Sequence, residues 1–137
     1  ANKRTDAYLD VVEQAGLSAL VREVEFVKPD DEKGAVVAKI LDENPDIDGI
    51  FAGDDTMAAI CLNVMKQRGL SAPDDIKVVG ADGARRTMTF MPDLTTVRQD
   101  IDRIGELAAQ SIIALINGDN PESNIKLPVE LIEGKTA

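Results

Sequence analysis

The chain has 137 residues, of which 44% are hydrophobic and 29% are charged, and this balance indicates one globular domain rather than a disordered segment. Its net charge of −10 and its aromatic content of 3% argue against direct binding to nucleic acid, because an acidic surface repels phosphates and few rings are available to stack on bases. The lack of His excludes histidine-dependent catalytic triads, and the single cysteine, Cys61, excludes an internal disulfide. No apolar run approaches the roughly 20 residues of a membrane span, so we expect no membrane partner.

Hydrophobic spacing and turn residues predict alternating helices and strands along the chain. The predicted elements are, in order, helix 3–15, strand 20–27, helix 32–43, strand 47–53, helix 55–68, strand 76–80, an irregular or briefly helical segment 83–92, strand 94–99, helix 101–117 and strand 125–132. Strands that alternate with helices indicate an α/β fold with a parallel sheet and right-handed crossovers.

Two features of this pattern predict contacts beyond a single chain. The series begins with a helix, so we expect the strand that would precede residue 3 to be missing from the sheet, and exposed sheet edges recruit other chains. We therefore predict association, with exchange of helix 101–117 and its flanking strands between copies. Helix 55–68 is apolar on more than one face, which indicates a second covered face such as a subunit contact.

Two of the predicted strands run into a glycine and then an aspartate. Residues 50–58 read IFAGDDTMA and residues 78–83 read VVGADG, which places Asp54 and Asp82 at the carboxyl ends of their strands. In open α/β sheets ligands bind at those ends, and neighbouring strands lie only about 4.8 Å apart. The two aspartates are therefore predicted to face one ligand. Two carboxylates without a nearby Lys or His suit the hydroxyl groups of a neutral polyol.

The neighbouring residues carry further expectations and simpler alternatives. Asp55 is expected to cap the helix that follows it. Arg4, at the start of the first helix, would face the same sheet edge and could donate a forked pair of hydrogen bonds to the ligand. Asp54 could instead be a solvated loop residue and Arg4 a surface charge. Cys61, in an apolar helix, is expected to be inert packing.

A metal-dependent enzyme is an alternative that the residues themselves suggest. Residues 53–55, a Gly-Asp-Asp turn before a helix, are similar to the magnesium-binding acidic turn of haloacid-dehalogenase-like phosphatases, and clustered carboxylates attract hard cations. Those enzymes also require an Asp-x-Asp pair at an early strand end together with a lysine, and the chain offers no such pair. We therefore expect no catalytic residue, no metal and no cofactor.

Four segments together resemble the lactose-repressor/galactose-repressor (LacI/GalR) family of transcriptional regulators. Residues 50–58 are similar to the family's hFxxNDxxA segment, and residues 65–82 are similar to its G…vPxDIxVVGFDD segment. Residues 92–99, PDLTTVRQ, are similar to its PxLTTVRQ, and residues 4–8, RTDAY, to its RxxGF. The four segments occur in the family's order and cover essentially the whole chain.

The resemblance implies an effector-binding domain of the periplasmic-binding-protein type, a three-layer α/β sandwich whose two lobes close on a small molecule. Residues 1–93 would form the C-terminal lobe, and residues 94–99 would be a strand that crosses the hinge. Residues 100–124 would provide a helix of the N-terminal lobe, and residues 125–137 would return to the C-terminal lobe.

The resemblance also implies a set of contacts. Arg4, Asp54 and Asp82 would touch the effector, a sugar or a similar small polar molecule. Helix 55–68 and segment 83–92 would contribute to a homodimer. Operator DNA would be bound only through a helix-turn-helix outside this chain, and such a regulator would be cytoplasmic.

A secreted sugar-binding protein of an ABC transporter is the runner-up, because those proteins share the fold. Gly83 stands where the repressor family has a second acid, and it matches the GFDG of the transport proteins. Asp54 stands where the repressors usually have Asn, and an ionised carboxylate accepts hydrogen bonds but cannot donate them. The LTTVRQ sequence of residues 94–99 favours the regulators.

Overall fold

The computed structural model describes residues 3–137. The helices and strands of this range follow the order α1 (Lys3–Gln14), α2 (Asp30–Glu43), β1 (Gly49–Phe51), α3 (Asp55–Gln67), β2 (Lys77–Asp82), α4 (Arg85–Phe90), β3 (Thr95–Gln99), α5 (Ile101–Ile116) and β4 (Val129–Ile132). The chain divides into two compact units, the first ending at Pro45 and the second beginning at Asp46. All the strands belong to the second unit, so this unit carries the sheet edge at which a ligand is expected.

The strands form one sheet in the order β1-β2-β3-β4. The first three strands are parallel to one another, and β4 is antiparallel to β3. The predicted α/β class with a mainly parallel sheet is confirmed, and β4 makes the sheet mixed. Because β1, β2 and β3 are parallel, their carboxyl ends lie along one edge of the sheet.

Helix α3 packs against β2 and forms the centre of the hydrophobic core. Met65 of the helix and Val78 of the strand are both 0% exposed. Ile60 and Val64 project from a different side of the helix than Met65, and they are buried as well. The buried part of the helix therefore extends beyond the side that holds Met65, and a subunit contact of this helix stays a prediction.

The prediction of a strand over 20–27 is wrong. This range contains no strand, and Phe26 and Val27 are 84% and 85% exposed. The prediction rested on β-branched residues that alternate with charged ones, a pattern that suits a strand only when a neighbouring strand receives its backbone hydrogen bonds. The sheet consists of the four strands β1, β2, β3 and β4, so no strand forms backbone hydrogen bonds with residues 20–27 as a neighbour in the sheet.

The other predicted elements are present, with shifted ends. Strands 47–53 and 125–132 shorten to β1 and β4, while strand 76–80 extends to Asp82. The segment 83–92, expected to be irregular or briefly helical, contains the short helix α4.

Thr136, which follows β4, forms hydrogen bonds near the amino-terminal ends of β2 and β3. The Thr136 carbonyl accepts a hydrogen bond from the Val78 amide (2.6 Å), and its hydroxyl donates to the Val78 carbonyl (2.7 Å). The same hydroxyl accepts a hydrogen bond from the Thr95 amide (3.0 Å). Pairing between β2 and β3 begins at Val79 and Thr95, so Thr136 bridges the two strands just before they pair.

None of the residues of helix α5 is buried. Its apolar side chains include Ile112 and Ile113, each 58% exposed, and Ile116, 79% exposed. No helix in the described part of the chain is long and apolar enough to cross a membrane.

Candidate ligand-binding site

The carboxyl ends of β1 and β2 lie at the same level of the sheet. Phe51 is paired with Val79, and the next amide, that of Ala52, donates to the Val79 carbonyl at 2.8 Å. Asp54 follows Phe51 by three residues, and Asp82 follows Val79 by three residues. The structure therefore brings both aspartates to one edge of the sheet, where each is half-buried.

Asp54, rather than Asp55, caps helix α3. Its Oδ1 accepts a hydrogen bond from the Met57 amide at 2.8 Å, and its backbone is extended (φ −152°, ψ 173°). The prediction that Asp55 is the cap is therefore wrong by one residue. Consecutive aspartates carry the same capping chemistry, so only the backbone geometry decides which of them precedes the first helical turn.

Asp55 is instead a buried carboxylate that joins three elements. It is only 3% exposed, and its Oδ2 accepts a hydrogen bond from the Gly83 amide at 2.9 Å. Its Oδ1 accepts a hydrogen bond from the Thr96 hydroxyl at 2.5 Å. A side chain at Gly80 would place its Cβ 2.5 Å from this Oδ1, so glycine leaves the space that the carboxylate fills.

Asp82 adopts a backbone conformation that is uncommon for a residue with a side chain. Its φ is +110°, and the following Gly83 has a φ of +59°. A Cβ at Gly83 would lie 2.7 Å from Arg98 Cα, so only glycine fits there. The Oδ1 of Asp82 accepts a hydrogen bond from Gln99 Nε2 at 2.7 Å, which orients the carboxylate from the neighbouring strand β3.

Sequence reasoning missed the roles of Asp55, Thr96 and Gln99. Thr96 and Gln99 lie within the LTTVRQ segment, which signalled the family but was assigned no role at the site. Gly80, in the middle of β2, was the available signal for the role of Asp55, because glycine within a strand often marks the close approach of another group.

Arg4 lies in the first unit, within α1, and its side chain is half-buried. Asp54 and Asp82 lie in the second unit. The structure therefore groups the two aspartates, and a shared role for Arg4 stays a prediction.

Two other ionisable groups, Cys61 and Asp75, have shifted pKa values, and they belong to the packed core and to a turn. Burial raises the pKa of the Cys61 thiol to about 11, which keeps it protonated at neutral pH and unreactive. Hydrogen bonds from Ser71 lower the pKa of Asp75 in the turn before β2, at the opposite end of the strand from Asp82. Among residues 3–137, no group of three or more Cys, Asp or Glu side chains is arranged to hold a metal ion.

A groove of the second unit lies away from the two aspartates. It has a volume of about 350 Å³ and lies between α5 and residues 122–129, with Ile104, Leu107 and Leu127 in its lining. It touches the aspartate cluster only through Gln99. We place the candidate site at the strand ends because that edge carries the oriented polar groups.

Comparison with known proteins identifies the family. The periplasmic binding protein-like domain family matches residues 1–137. The chain belongs to this family.

Its relatives are regulators of the LacI family. A ribose operon repressor from Halalkalibacterium halodurans is 31% identical over 137 residues, which are 99% of this chain and 41% of that protein. The chain thus spans about two-fifths of the length of that relative.

Solved structures agree with this family. The transcriptional regulator CelR in complex with cellobiose has a TM-score of 0.85 and 28% identity, covering 98% of this chain and 42% of that one. A LacI family regulator from Arthrobacter sp. FB24 in complex with lactose has a TM-score of 0.82 and 27% identity, covering 99% and 52%. The fold is therefore that of the LacI effector-binding domains.

Proposed function

We propose that this chain is the sugar-sensing part of a bacterial transcriptional repressor. The observation that carries the proposal is the placement of Asp54 and Asp82 at one sheet edge, in a chain whose structural neighbours hold lactose and cellobiose. Relatives that are ribose and sucrose operon repressors favour this function over transport and over phosphate hydrolysis. As a regulator of transcription the protein would act in the cytoplasm and would turn over no substrate.

The two aspartates suit a neutral sugar as the ligand. Ionised carboxylates accept hydrogen bonds from hydroxyl groups, and such charge-assisted bonds are stronger than neutral ones. Oδ1 of Asp54 is engaged by the helix cap and Oδ1 of Asp82 by Gln99, so both carboxylates are held in defined orientations before a ligand arrives. Arg4 would complete the site by donating to ring or hydroxyl oxygens.

The arrangement of lobes is part of the proposal. Residues 1–93 would belong to the C-terminal lobe and residues 94–99 would cross the hinge. Residues 100–124 would belong to the N-terminal lobe, and residues 125–137 would return. The exposed apolar side chains of α5 support this assignment, because a helix with a large apolar face needs another layer to cover it.

Signalling would follow from a change in lobe arrangement. A sugar that binds one arrangement more tightly shifts the population towards it, and a homodimer would transmit the shift to a DNA-binding module outside this chain. Coupling of this kind is reciprocal, so operator DNA would change the affinity for the sugar by the same factor.

Titration calorimetry of the intact protein tests the proposal. We expect one of ribose, sucrose, lactose or cellobiose to bind and to change the affinity for DNA upstream of its own operon. Asp54→Ser keeps a capping hydroxyl but removes the carboxylate, and Asp82→Asn tolerates the positive φ but weakens the acceptor. Each should weaken sugar binding by about tenfold or more.

Asp75→Asn is the matched control, because it changes an aspartate in the turn at the opposite end of β2 and should leave affinity unchanged. Full sugar affinity in both site variants would contradict the assigned residues. No binding of any of the four sugars, with DNA affinity unmoved, would count against the function itself.

A further inference from the structure

The side chain of Asp55, the residue after Asp54, is buried, with only 3% of the residue exposed. It accepts hydrogen bonds from the Gly83 amide and the Thr96 hydroxyl, and Thr96 is itself 0% exposed. Within residues 3–137, no buried side-chain nitrogen or oxygen lacks a hydrogen-bond partner. Asp55 thus joins α3, the loop after β2, and β3 through one side chain.

Both ends of the Asp55–Gly83 hydrogen bond are adjacent in sequence to a residue of the proposed site. Asp55 follows Asp54, and Gly83 follows Asp82. The 2.9 Å bond between Asp55 Oδ2 and the Gly83 amide therefore links the two segments that carry the aspartates of the proposed site. If this bond is broken, the start of α3 and the loop after β2 lose a direct contact and remain held by the pairing of β1 with β2 and by Gln99.

Burial of a carboxylate raises the free energy of the folded state, so its presence in the core indicates a specific role. Removal of a charged group from water is unfavourable unless hydrogen bonds compensate it, and an apolar side chain of similar size would avoid that cost. The fold also keeps Gly80 free of a side chain to make room for this carboxylate. A buried polar group that is fully satisfied fixes one arrangement of the elements that it joins.

The loop that Asp55 holds is in an unfavourable backbone conformation. Asp82 has a φ of +110°, and non-glycine residues persist in such regions only where the surrounding structure holds them. Asp55 holds this loop through Gly83, and Gln99 holds it through the Asp82 side chain. One hydrogen bond therefore holds the strained residue Asp82 itself, and the other holds the residue that follows it.

We propose that Asp55 is a positioning residue, which sets the separation of Asp54 and Asp82 through its hydrogen bond to the Gly83 amide and so determines sugar affinity without touching the sugar. This inference rests on the proposed function, because it assumes that the two aspartates bind the ligand.

Four variants of the intact protein test the positioning role of Asp55. Each is titrated with ribose, sucrose, lactose and cellobiose at a temperature where all the variants are folded. Asp55→Ala removes both hydrogen bonds and should weaken binding by about ten- to a hundredfold. Asp55→Asn keeps an oxygen for the Gly83 amide and should restore affinity to within about threefold of the wild type. Thr96→Val removes only the second bond and should lower stability while leaving the affinity of the folded protein within about threefold.

Asp75→Ala is the matched control, because it removes a hydrogen-bonded aspartate from a remote turn and should leave affinity unchanged. A second readout is the amide resonance of Gly83 in ¹H–¹⁵N spectra. We expect it to move upfield in Asp55→Ala, where the bond to the carboxylate is lost, and to stay near its wild-type position in Thr96→Val.

The outcomes separate the two proposals. If the wild type binds none of the four sugars, the proposed function fails. If the wild type binds and Asp55→Ala stays within threefold of it, only the positioning role fails. Equal losses of affinity in Asp55→Ala and Thr96→Val would indicate a purely structural role and would also overturn it. If Asp55→Ala does not fold, Asp55→Ser replaces it with the same expectation, because its shorter side chain cannot reach Gly83.

Discussion

Asp54 and Asp55 are chemically identical neighbours, yet the fold gives them opposite environments. Asp54 lies at the start of α3, where its carboxylate caps the helix and faces the sheet edge. Asp55 lies one residue further on, where the first helical turn directs it into the core towards Gly83 and Thr96. Gly80 completes this arrangement by leaving the space that the second carboxylate occupies.

The tight contact at Gly80 makes a prediction at the level of one residue. Gly80→Ala should lower the free energy of unfolding by about 1–3 kcal/mol, because the new methyl group would press on the Asp55 carboxylate and on Leu94. Urea unfolding followed by circular dichroism measures this change. Gly49→Ala is the control from the same sheet, since a Cβ there meets nothing within 4 Å. Equal effects of the two substitutions would contradict the close approach of Asp55.

Among the elements, the sheet depends on contacts from both ends of its strands. At the carboxyl ends, Asp55 joins α3 to the loop after β2 and to β3. At the opposite ends, Thr136 bridges β2 and β3 before their own pairing starts. The final residues of the chain therefore contribute to the same sheet that carries the proposed site.

The bridge formed by Thr136 can be tested by removal of its hydroxyl. Thr136→Val keeps the shape of the side chain but leaves the Val78 carbonyl and the Thr95 amide without this partner. The free energy of unfolding should fall by about 1–3 kcal/mol in urea or thermal unfolding. Lys135→Ala is the neighbouring control, because the Lys135–Asp93 ion pair is exposed and contributes about 0–1 kcal/mol. A change in Thr136→Val no larger than in the control would show that the bridge is dispensable.

At the scale of the whole molecule, α5 carries an apolar surface that a single chain leaves uncovered. Ile112 and Ile116 lie one helical turn apart on the same face of the helix, and both are exposed. Soluble proteins rarely expose large contiguous apolar patches without a partner. The lobe assignment proposed above supplies one, since a second lobe would cover this face.

This surface predicts self-association of the 137-residue chain studied by itself. The double variant Ile112→Ser, Ile116→Ser should reduce the associated fraction in sedimentation velocity experiments at high concentration, because it removes two exposed apolar side chains from one face of α5. Leu17→Ser is the control, since it removes a single exposed apolar residue from outside that helix. A wild-type chain that stays monomeric at high concentration would contradict the prediction.

Much of the fold was predictable because its signals are local. Helical periodicity and the residues that begin and end each element predicted α1, α2, α3 and α5 to within two residues at each end. The glycine–aspartate pairs located the sheet edge on which Asp54 and Asp82 lie. Strand 20–27 failed because a strand is stabilised by its neighbour, which composition does not specify.

The sequence by itself determined the alternation of elements, the family motifs and the two aspartates at the strand ends. Only the tertiary structure decided that Asp54 caps α3 while Asp55 lies in the core, and that Gln99 orients Asp82. The physical reason is the range of the interactions. A helix cap or an apolar stripe depends on residues within one turn, whereas Asp55 meets Thr96 across 41 positions of sequence. Contacts of that kind exist only after the strands have paired in one register.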